Sequence, residues 1–212
     1  MLNREIDKIV SWLQEQVYAA NAKGLVVGVS GGIDSAVAAA LIKRAFPDAS
    51  LGLILPISSN PQDVIDARLV VQTVNLTAVE LDLTSEHQSI LAKVLDGINN
   101  HHPVVELNQR MADANLRARL RMCALYTAAN ALNYLVVGTD NKAEYYTGYF
   151  TKYGDGACDL LPLVDFTKGE IYALAQSLGI PEPIIVRQPS AGLWPGQTDE
   201  GEMGTTYALI DA

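Results

Sequence analysis

The amino-acid sequence predicts an α/β fold in which helices cover both faces of a parallel sheet. Three short apolar stretches, at residues 25–29, 51–55 and 134–137, are rich in branched aliphatic side chains, as is typical of strands buried on both faces. Segments with apolar residues at helical spacing separate these stretches. Strands that alternate with helices imply right-handed crossovers and therefore a parallel sheet. Such sheets bind ligands at the carboxyl ends of their strands, so the loops that follow the strands are the candidate site segments.

The first half of the chain predicts three strands and four helices. Residues 2–20 carry apolar side chains at helical spacing and end in a polar turn. An Ala-rich helix follows the first strand, and Pro47 and Asp48 mark the turn before the second. Thr84 is the expected N-cap of the fourth helix. The predicted strands are residues 25–29, 51–55 and 78–81, and the predicted helices are residues 2–20, 36–45, 62–73 and 84–98.

The second half predicts one further strand and three helices. They are a long helix at 111–132, a strand at 134–137, a short helix at 141–146 and a helix at 167–178. Gly179 and Pro181 end the last of these helices. A loop rich in Gly, Tyr and Asp spans residues 148–159, and the residues after Pro181 show no period that predicts an element.

The composition predicts one folded, soluble domain over residues 1–212, located in the cytoplasm. Hydrophobic residues make up 49% of the chain and charged residues 18%, so enough apolar surface is available to offset the entropy of folding. The formal net charge of −9 argues against nucleic acid as a partner, because a surface that binds it needs a cationic field. No secretory signal is evident, and no apolar stretch approaches the roughly 18–20 residues that span a bilayer, so no membrane partner is expected.

A glycine-containing loop, Ser-Gly-Gly-Ile-Asp-Ser from Ser30 to Ser35, lies between a predicted buried strand and a helix. Gly31 and Gly32 permit positive φ angles and leave the backbone bare, so that consecutive N–H groups can converge on an anion. The start of the helix favours the same negative charge, and the two serine hydroxyls are further donors. Asp34 would repel a phosphate unless a cation such as Mg²⁺ bridged the two groups. The alternative is a capped turn with no ligand.

This loop is neither of the two commoner nucleotide-binding signatures. It lacks the Gly-Lys of a Walker loop and the spacing of a dinucleotide fingerprint. It resembles instead the PP-loop of the ATP pyrophosphatases. In that superfamily the loop holds the β- and γ-phosphates of ATP, which is cleaved between the α- and β-phosphates so that AMP passes to a substrate oxygen.

Four further segments narrow the resemblance to one family. They are residues 115–122 (NLRARLRM), 138–144 (GTDNKAE), 147–156 (TGYFTKYGDG) and 161–163 (LPL), the last followed by Lys168. In this order they are similar to the ammonia-dependent NAD synthetases, and the similarity extends from the first helix to about Tyr207. The resemblance implies a Rossmann-like, adenine nucleotide α-hydrolase-like fold and a carbon–nitrogen ligase. Such an enzyme adenylates the carboxylate of deamido-NAD with ATP, and ammonia then displaces AMP to give NAD.

The resemblance also implies an ATP site and a metal site. ATP is expected to bind at Gly28, Ser30, Gly31, Gly32, Ile33, Asp34, Ser35, Leu55, Thr139, Lys168 and Ser190. Asp34 and Lys168 are expected to act in catalysis. Mg²⁺ is expected at Asp34 and Glu144, which both follow predicted strands and so can face one site. Ser190 stands where the family usually has Thr, and its hydroxyl could still bind ATP.

The second substrate is expected in the second half of the chain. The resemblance places deamido-NAD at Arg119, Lys152 and Asp159. Because ammonium cannot attack the adenylate, Asp155 in the same loop is expected to orient or deprotonate ammonia. The loop at 148–159 is expected to close over the substrate, because an acyl adenylate is hydrolysed if water reaches it.

Some of these charged residues have simpler interpretations. Arg117 and Arg121 are four residues apart and predict a solvated or interface face of their helix. Lys168 lies near a helix start, where a cation opposes the macrodipole, and this position favours a functional reason for it. His101 and His102 resemble a metal-binding pair, but the sequence nearby offers no third ligand, so both are predicted to be ordinary loop residues.

A homodimer is predicted, because the helix at 111–132 is amphipathic, with apolar residues that include Leu116, Leu120, Cys123 and Leu125, and because the family is dimeric. The sequence ends before the His-Lys pair with which family members usually bind deamido-NAD, and it has no room for a glutaminase region. Ammonia, free or delivered by a separate protein, is therefore the expected nitrogen source. Two alternatives remain open, a PP-loop tRNA-modifying enzyme and a non-catalytic nucleotide sensor on the same fold.

Overall fold

Four parallel strands form the centre of the structure, a computed structural model that describes residues 2–190 and 197–211. The strands are β1 (Gly24–Gly28), β2 (Ser50–Ile54), β3 (Ala78–Glu80) and β4 (Tyr134–Val137). Ten helices accompany them in this part of the chain. They are α1 (Leu2–Ala19), α2 (Ile33–Ala45), α3 (Pro61–Thr73), α4 (Thr84–Asn99), α5 (Glu106–Leu132), α6 (Lys142–Thr147), α7 (Lys168–Leu178), α8 (Glu182–Ile185), α9 (Asp199–Met203) and α10 (Tyr207–Ile210).

The strand order is β3-β2-β1-β4. β2 and then β3 lie on one side of β1, and β4, which comes last in the chain, lies on the other side. Val26 of β1 lies opposite Leu51 of β2 and Val136 of β4. The carboxyl ends of β1 and β4 are therefore neighbours at the point where the strand order reverses. Open α/β sheets bind ligands in the crevice at such a point.

Helices cover both faces of the sheet, as predicted. Alternate residues of β1 face opposite ways: Leu25 and Val27 belong to the core with α1, α2 and α7, whereas Val26 packs with residues of α5. α4 packs on α5. The Ala-rich sequence of α2 is explained by its position, since Ala36 and Ala39 are fully buried and small side chains let the helix lie close to its neighbours.

Every predicted strand and helix is present, although several ends differ. α5 begins at Glu106 rather than at residue 111, and α2 begins at Ile33 because the glycine loop turns directly into the helix. The prediction that Thr84 caps α4 is wrong. Leu83 is the N-cap, and the Thr84 hydroxyl instead accepts a hydrogen bond from the backbone N–H of Ser58 over 2.9 Å.

Three short helices, α8, α9 and α10, follow Pro181 in the stretch that predicted no element. Each has only four or five residues, which is too few to show an apolar period. Residues 191–196 of this stretch lie outside the described part of the chain. Across residues 2–190 and 197–211, none of the helices is both long and apolar enough to cross a membrane.

Candidate active site

The loop after β1 has the backbone geometry of an anion-binding turn. Gly31 has a φ of +88°, and a Cβ atom at this position would lie 2.6 Å from the carbonyl oxygen of Asp63, so the loop and α3 can approach only because the residue is glycine. Gly32 is the extended N-cap of α2. The 13-residue helix therefore directs the positive end of its dipole at the loop, where it would stabilise a phosphate.

The two serines of the loop hold its shape. The Ser30 and Ser35 hydroxyl oxygens are 3.0 Å apart, and the Ser35 hydroxyl donates to the carbonyl of Gly32 over 2.9 Å. The backbone N–H of Gly32 in turn donates to the Ser30 hydroxyl over 3.2 Å. Ser35 is buried, and its hydroxyl is engaged within the loop itself. The loop is thus fixed by its own side chains.

Asp34 and Glu144 meet at a buried lysine. The Lys168 Nζ lies 2.6 Å from Asp34 Oδ2 and 3.8 Å from Glu144 Oε1. Asn141 links the same carboxylates, because its side chain donates to Asp34 Oδ1 over 3.2 Å and its backbone N–H donates to Glu144 Oε2 over 3.1 Å. Lys168 is only 2% exposed. The structure thus brings together the three charged residues predicted to serve ATP and Mg²⁺.

Helix starts position these side chains. Asp34 lies in the first turn of α2, Glu144 in the first turn of α6, and Lys168 is the first residue of α7. Asn141 caps α6 in a capping box in which Glu144 is the reciprocal partner. Lys168 opposes the dipole of its own helix, as the sequence indicated, and the two carboxylates offset this cost.

Burial and mutual repulsion raise the pKa values of the acids around this lysine. Burial, followed by the charge of Asp34, raises the pKa of Glu144 to about 8. Burial, together with the charges of Asp155 and Asp34, raises the pKa of Asp140 to about 7. Burial acts to lower the pKa of Lys168, but the carboxylates of Asp34 and Glu144 outweigh it and the pKa is raised. An additional cation would therefore be stabilised at this position.

The donors present fit Mg²⁺. This ion takes oxygen ligands, and proteins often bind it through one or two carboxylates while substrate phosphates and water complete its shell. Asp34 and Glu144 offer two such carboxylates beside the phosphate loop. Within the described residues, no group of three or more His, Cys, Asp or Glu side chains is arranged to hold a metal. An ion held here would consequently take the rest of its ligands from a nucleotide and from water.

A cavity of about 480 Å³ opens beside the phosphate loop, between the ends of β1, β2 and β4. Many of the predicted residues line it, namely Gly28, Ser30, Gly32, Ile33, Asp34, Ser35, Leu55, Thr139, Glu144, Asp155 and Ser190. Apolar residues of α5, among them Met122 and Leu125, form part of the wall. The cavity therefore offers both an apolar surface for a base and a polar end for phosphates.

The residues expected to bind deamido-NAD do not line this cavity. The Arg119 Nε donates to the carbonyl of Lys152 over 3.1 Å, so these two predicted residues are in contact, and both are exposed. Asp159 is occupied within the fold: it accepts from the backbone N–H of Val136 over 2.7 Å and from the Tyr126 hydroxyl over 3.1 Å. Burial, with the charge of Asp159, raises the pKa of Tyr126 to about 12.

Arg121 differs from its sequence-based interpretation. A solvated or interface face was predicted for it, but it is partly buried and lines the cavity. Its guanidinium donates to the carbonyl of Leu55 over 3.0 Å and to the hydroxyl of Ser59 over 3.3 Å. Burial, and then the charge of Arg117, lowers the pKa of Arg121 to about 10, so it stays protonated at neutral pH. Arg117 is also partly buried and pairs with Asp113 over 2.7 Å.

Further residues of the site gave no signal in the sequence. Arg187 pairs with Asp63 and, over 2.8 Å, with Asp66, and so ties the segment before Ser190 to α3. Tyr207 reaches Glu144 from the unpredicted helix α10. Neither lies in one of the segments from which the site residues were assigned, and only the tertiary structure shows which side chains they contact.

The chain matches the family model for NAD synthase over residues 5–212. The NH₃-dependent NAD⁺ synthetase of Alkaliphilus oremlandii is 55% identical over 210 residues, which cover 99% of this chain and 84% of that protein. The NH₃-dependent NAD⁺ synthetase of Carboxydothermus hydrogenoformans is 51% identical over 205 residues, covering 97% and 82%.

Solved structures agree with this relationship. NMN synthetase from Francisella tularensis is 40% identical with a TM-score of 0.91, over 100% of this chain and 84% of that one. The NH₃-dependent NAD synthetase of Campylobacter jejuni is 36% identical with a TM-score of 0.75, over 87% and 76%. The match covers nearly the whole sequence and includes the phosphate loop, and on this ground the chain belongs to the NAD synthase family.

Proposed function

We propose that this protein is an ammonia-dependent NAD synthetase, a ligase that converts deamido-NAD, ammonia and ATP into NAD, AMP and pyrophosphate. Relatives that are about half identical over almost the whole chain are named for this activity. The observation that carries the proposal is the cluster of Asp34, Lys168 and Glu144 beside a preformed phosphate loop. This arrangement suits the binding of a triphosphate whose charge must be neutralised during adenylation.

The reaction follows in two displacement steps. An oxygen of the nicotinate carboxylate attacks the α-phosphorus of ATP, and the bond between that phosphorus and the bridging oxygen of pyrophosphate breaks. Ammonia then attacks the acyl carbon, AMP leaves with the carboxylate oxygen, and the amide forms after loss of a proton. The loop and the start of α2 bind the departing phosphates, and Lys168 supplies a fixed positive charge at the same end of the site.

Asp34 and Glu144 would hold Mg²⁺ in this scheme. The ion, when bound, would neutralise phosphate charge and orient the leaving group. The chain's own part is to keep two carboxylates beside the phosphate loop, and Asn141 and Lys168 do so through the hydrogen bonds and ion pairs already described. The ATP base would occupy the apolar part of the cavity near Leu55, whose carbonyl Arg121 fixes.

Deamido-NAD would bind at Arg119, Lys152 and Asp159, next to the loop at 148–159. The contact between Arg119 and Lys152 supports a shared role, since it places two cationic residues together at the surface where a dinucleotide's phosphates could lie. Asp155 would accept the proton from ammonium. Desolvation, which outweighs the hydrogen bond from the backbone N–H of Thr151, raises the pKa of Asp155 and makes its carboxylate a stronger base than it would be in free solution.

A homodimer is proposed through α5 and the helix beside it. Of the α5 residues expected at the interface, Leu125 packs against the sheet, whereas Cys123 is exposed. Further exposed apolar residues lie on α4 and at the start of α5, and they include Val94, Ile98, Leu107 and Met111. Exposed apolar patches mark interaction surfaces, and two-fold dimers are the commonest assembly. Sedimentation at micromolar concentration is expected to show a dimer, and a monomer there would contradict this.

The activity is tested by incubating the protein with ATP, Mg²⁺, deamido-NAD and ammonium at pH 8, and by measuring NAD, AMP and pyrophosphate together. Equal amounts of the three products are expected. ADP and phosphate would show a different cleavage of ATP, and nucleotide binding without turnover would favour a sensor.

We propose the cytoplasm as the location of the protein and residues 1–212 as one domain.

A second candidate is the amidation of the mononucleotide instead of the dinucleotide. The observation that favours it is the similarity to the Francisella tularensis NMN synthetase, with its TM-score of 0.91. The same assay with nicotinic acid mononucleotide in place of deamido-NAD decides between them. The substrate with the larger kcat/KM is the preferred one, because this ratio measures discrimination between competing substrates.

A further inference from the structure

Tyr207 connects the carboxyl-terminal segment with the charged cluster of the site. It lies at the start of α10 and is buried. Its hydroxyl is 3.0 Å from Glu144 Oε1 and 3.1 Å from Asp199 Oδ2. Tyr207 lies at the end of the family similarity but in none of the segments from which the site residues were assigned, so its contact with Glu144 adds a part to the site.

The ring of Tyr207 makes a second contact with the cluster. The Lys168 Nζ lies 4.7 Å from the ring centroid, within the range of a cation–π interaction. Tyr207 therefore touches Glu144 through its hydroxyl and Lys168 through its ring.

The contact with Glu144 matters because of what else holds that carboxylate. One oxygen, Oε2, accepts the backbone N–H of Asn141 over 3.1 Å. The other, Oε1, lies 3.8 Å from the Lys168 Nζ, which is beyond hydrogen-bond distance. The hydroxyl of Tyr207, whose single hydrogen can go to Glu144 Oε1 or to Asp199 Oδ2, gives this second oxygen a close donor. With both oxygens bound, the carboxylate has one orientation.

We infer that Tyr207 is a positioning residue, which acts through Glu144 and Lys168 to shape the metal and phosphate end of the ATP site. Groups that hydrogen-bond a metal-binding carboxylate orient it, and their loss commonly costs about 10- to 100-fold in metal affinity or activity. The inference rests on the proposed function in so far as Glu144 is taken to hold the metal that accompanies ATP.

Tyr207 is itself held from two sides. Its backbone N–H donates to Glu200 Oε1 over 2.9 Å. At the other end of α10, Asp211 Oδ2 accepts from the backbone N–H of Gly169 over 3.2 Å, next to Lys168 on α7. These bonds fix α10 relative to α7, so the position of the ring over the ammonium is set by the fold.

The test compares Tyr207→Phe with the unsubstituted protein in a Mn²⁺ titration followed by electron paramagnetic resonance, with ATP present. Mn²⁺ accepts the same carboxylate ligands as Mg²⁺ and reports binding without turnover. Tyr207→Phe keeps the ring and removes only the hydroxyl. We expect its Kd for Mn²⁺ to rise about 10-fold or more, while the KM for deamido-NAD is unchanged. Tyr207→Leu also removes the ring over Lys168, and it is expected to raise the KM for ATP more than Tyr207→Phe does.

Tyr149→Phe is the matched control. The Tyr149 hydroxyl bonds Asp199 over 3.3 Å and Glu202 over 2.7 Å, so its loss loosens the same segment without removing any contact to Glu144 or Lys168. An unchanged Mn²⁺ affinity in Tyr149→Phe and a weakened one in Tyr207→Phe support the inference. Equal shifts in the two variants, or none in Tyr207→Phe, overturn it.

Two further measurements keep the result decisive. If Tyr207→Phe does not fold, Glu200→Ala removes the backbone anchor of Tyr207 while leaving its side chain, and it must weaken Mn²⁺ binding for the inference to stand. The NAD assay on the unsubstituted protein reports on the proposed function separately. A protein that makes no NAD but loses Mn²⁺ affinity on Tyr207→Phe would disprove the function and keep the positioning role.

Discussion

Asp34 is the nearest partner of the buried Lys168 and belongs to the phosphate loop as well. We expect Asp34→Asn to abolish adenylation and to keep the fold at a lower stability, because asparagine keeps the size of the side chain and one acceptor oxygen but loses the charge that a metal needs and that pairs with Lys168. Pyrophosphate release measures the first effect and thermal unfolding the second. Near-normal turnover at limiting Mg²⁺ would contradict the assignment.

Glu144 should behave differently from Asp34 in the absence of metal. Burial, followed by the charge of Asp34, raises its pKa, so its charged form is disfavoured until a cation binds, and an amide costs less here than in an ordinary ion pair. We therefore expect Glu144→Gln to leave the free energy of unfolding at pH 7 in metal-free buffer nearly unchanged, and to abolish adenylation when ATP and Mg²⁺ are supplied. A large loss of stability without metal would show that the carboxylate is ionised in the free protein.

Asp140 gives a prediction about pH. Its pKa is about 7 in the folded protein, against about 3.9 for an unperturbed aspartate, so the folded state binds more protons between these values. The free energy of unfolding therefore falls as the pH rises from about 4 to about 7. Asp140→Asn lacks this titration. Relative to the unsubstituted protein it should gain up to about 4 kcal/mol of stability between pH 4 and pH 8.

Denaturant unfolding in metal-free buffer at several pH values measures this gain. Asp96→Asn, at an exposed position of α4, is the control for the substitution itself. A stability difference between Asp140→Asn and the unsubstituted protein that stays constant with pH would mean that Asp140 is not the group responsible.

The loop at 148–159 is expected to bind deamido-NAD, and a substitution in it tests this role. Lys152 is exposed and contacts Arg119 through its backbone, not through its ammonium group, which therefore remains able to bind a substrate phosphate. We expect Lys152→Ala to raise the KM for deamido-NAD at least tenfold and the KM for ATP much less, because a charged hydrogen bond contributes about 1.5–3 kcal/mol. Lys23→Ala, which removes an exposed positive charge elsewhere, is the control. Equal KM values for deamido-NAD in both variants would refute a clamp.

How far the sequence predicts an element depends on how local its causes are. β1, the glycine loop and α2 follow from a short apolar strand, two glycines and an Ala-rich helix that are contiguous in the chain, and all three are confirmed. α9 and α10 depend on distant partners: the Tyr149 hydroxyl donates to Glu202, and the Tyr207 hydroxyl lies between Glu144 and Asp199. No local pattern encodes such contacts.

Arg121 shows the same limit for a single side chain of the site. Its spacing from Arg117 places both on one side of α5, but spacing does not tell which side faces the sheet, the cavity or solvent. The answer depends on the neighbouring β2 end, where Leu55 and Ser59 accept its hydrogen bonds. Three residues recognised through family motifs, by contrast, are close together as expected: the Lys168 Nζ lies within 3.8 Å of the carboxylates of both Asp34 and Glu144.

At the scale of the whole molecule, nucleotide binding should report on stability. The site joins loops that follow β1 and β4 with the start of α7, so a ligand that needs all of them binds only the folded state. ATP with Mg²⁺ at a hundred times its Kd is expected to add about 2.7 kcal/mol to the free energy of unfolding. For a chain of this size that raises Tm by about 5–10 °C. Scanning calorimetry measures the shift, and its absence in Asp34→Asn is the control.

The ion pair between Asp34 and Lys168 spans 134 positions of the chain. During synthesis from the amino terminus, the phosphate loop leaves the ribosome long before α7 exists, so its carboxylate meets no ammonium until most of the protein has been made. Pairings this distant in sequence form late and slowly. Nascent chains and folding intermediates should therefore carry no nucleotide. In hydrogen exchange on the native protein, the amides at the starts of α2 and α7 should open together, in one of the largest cooperative units.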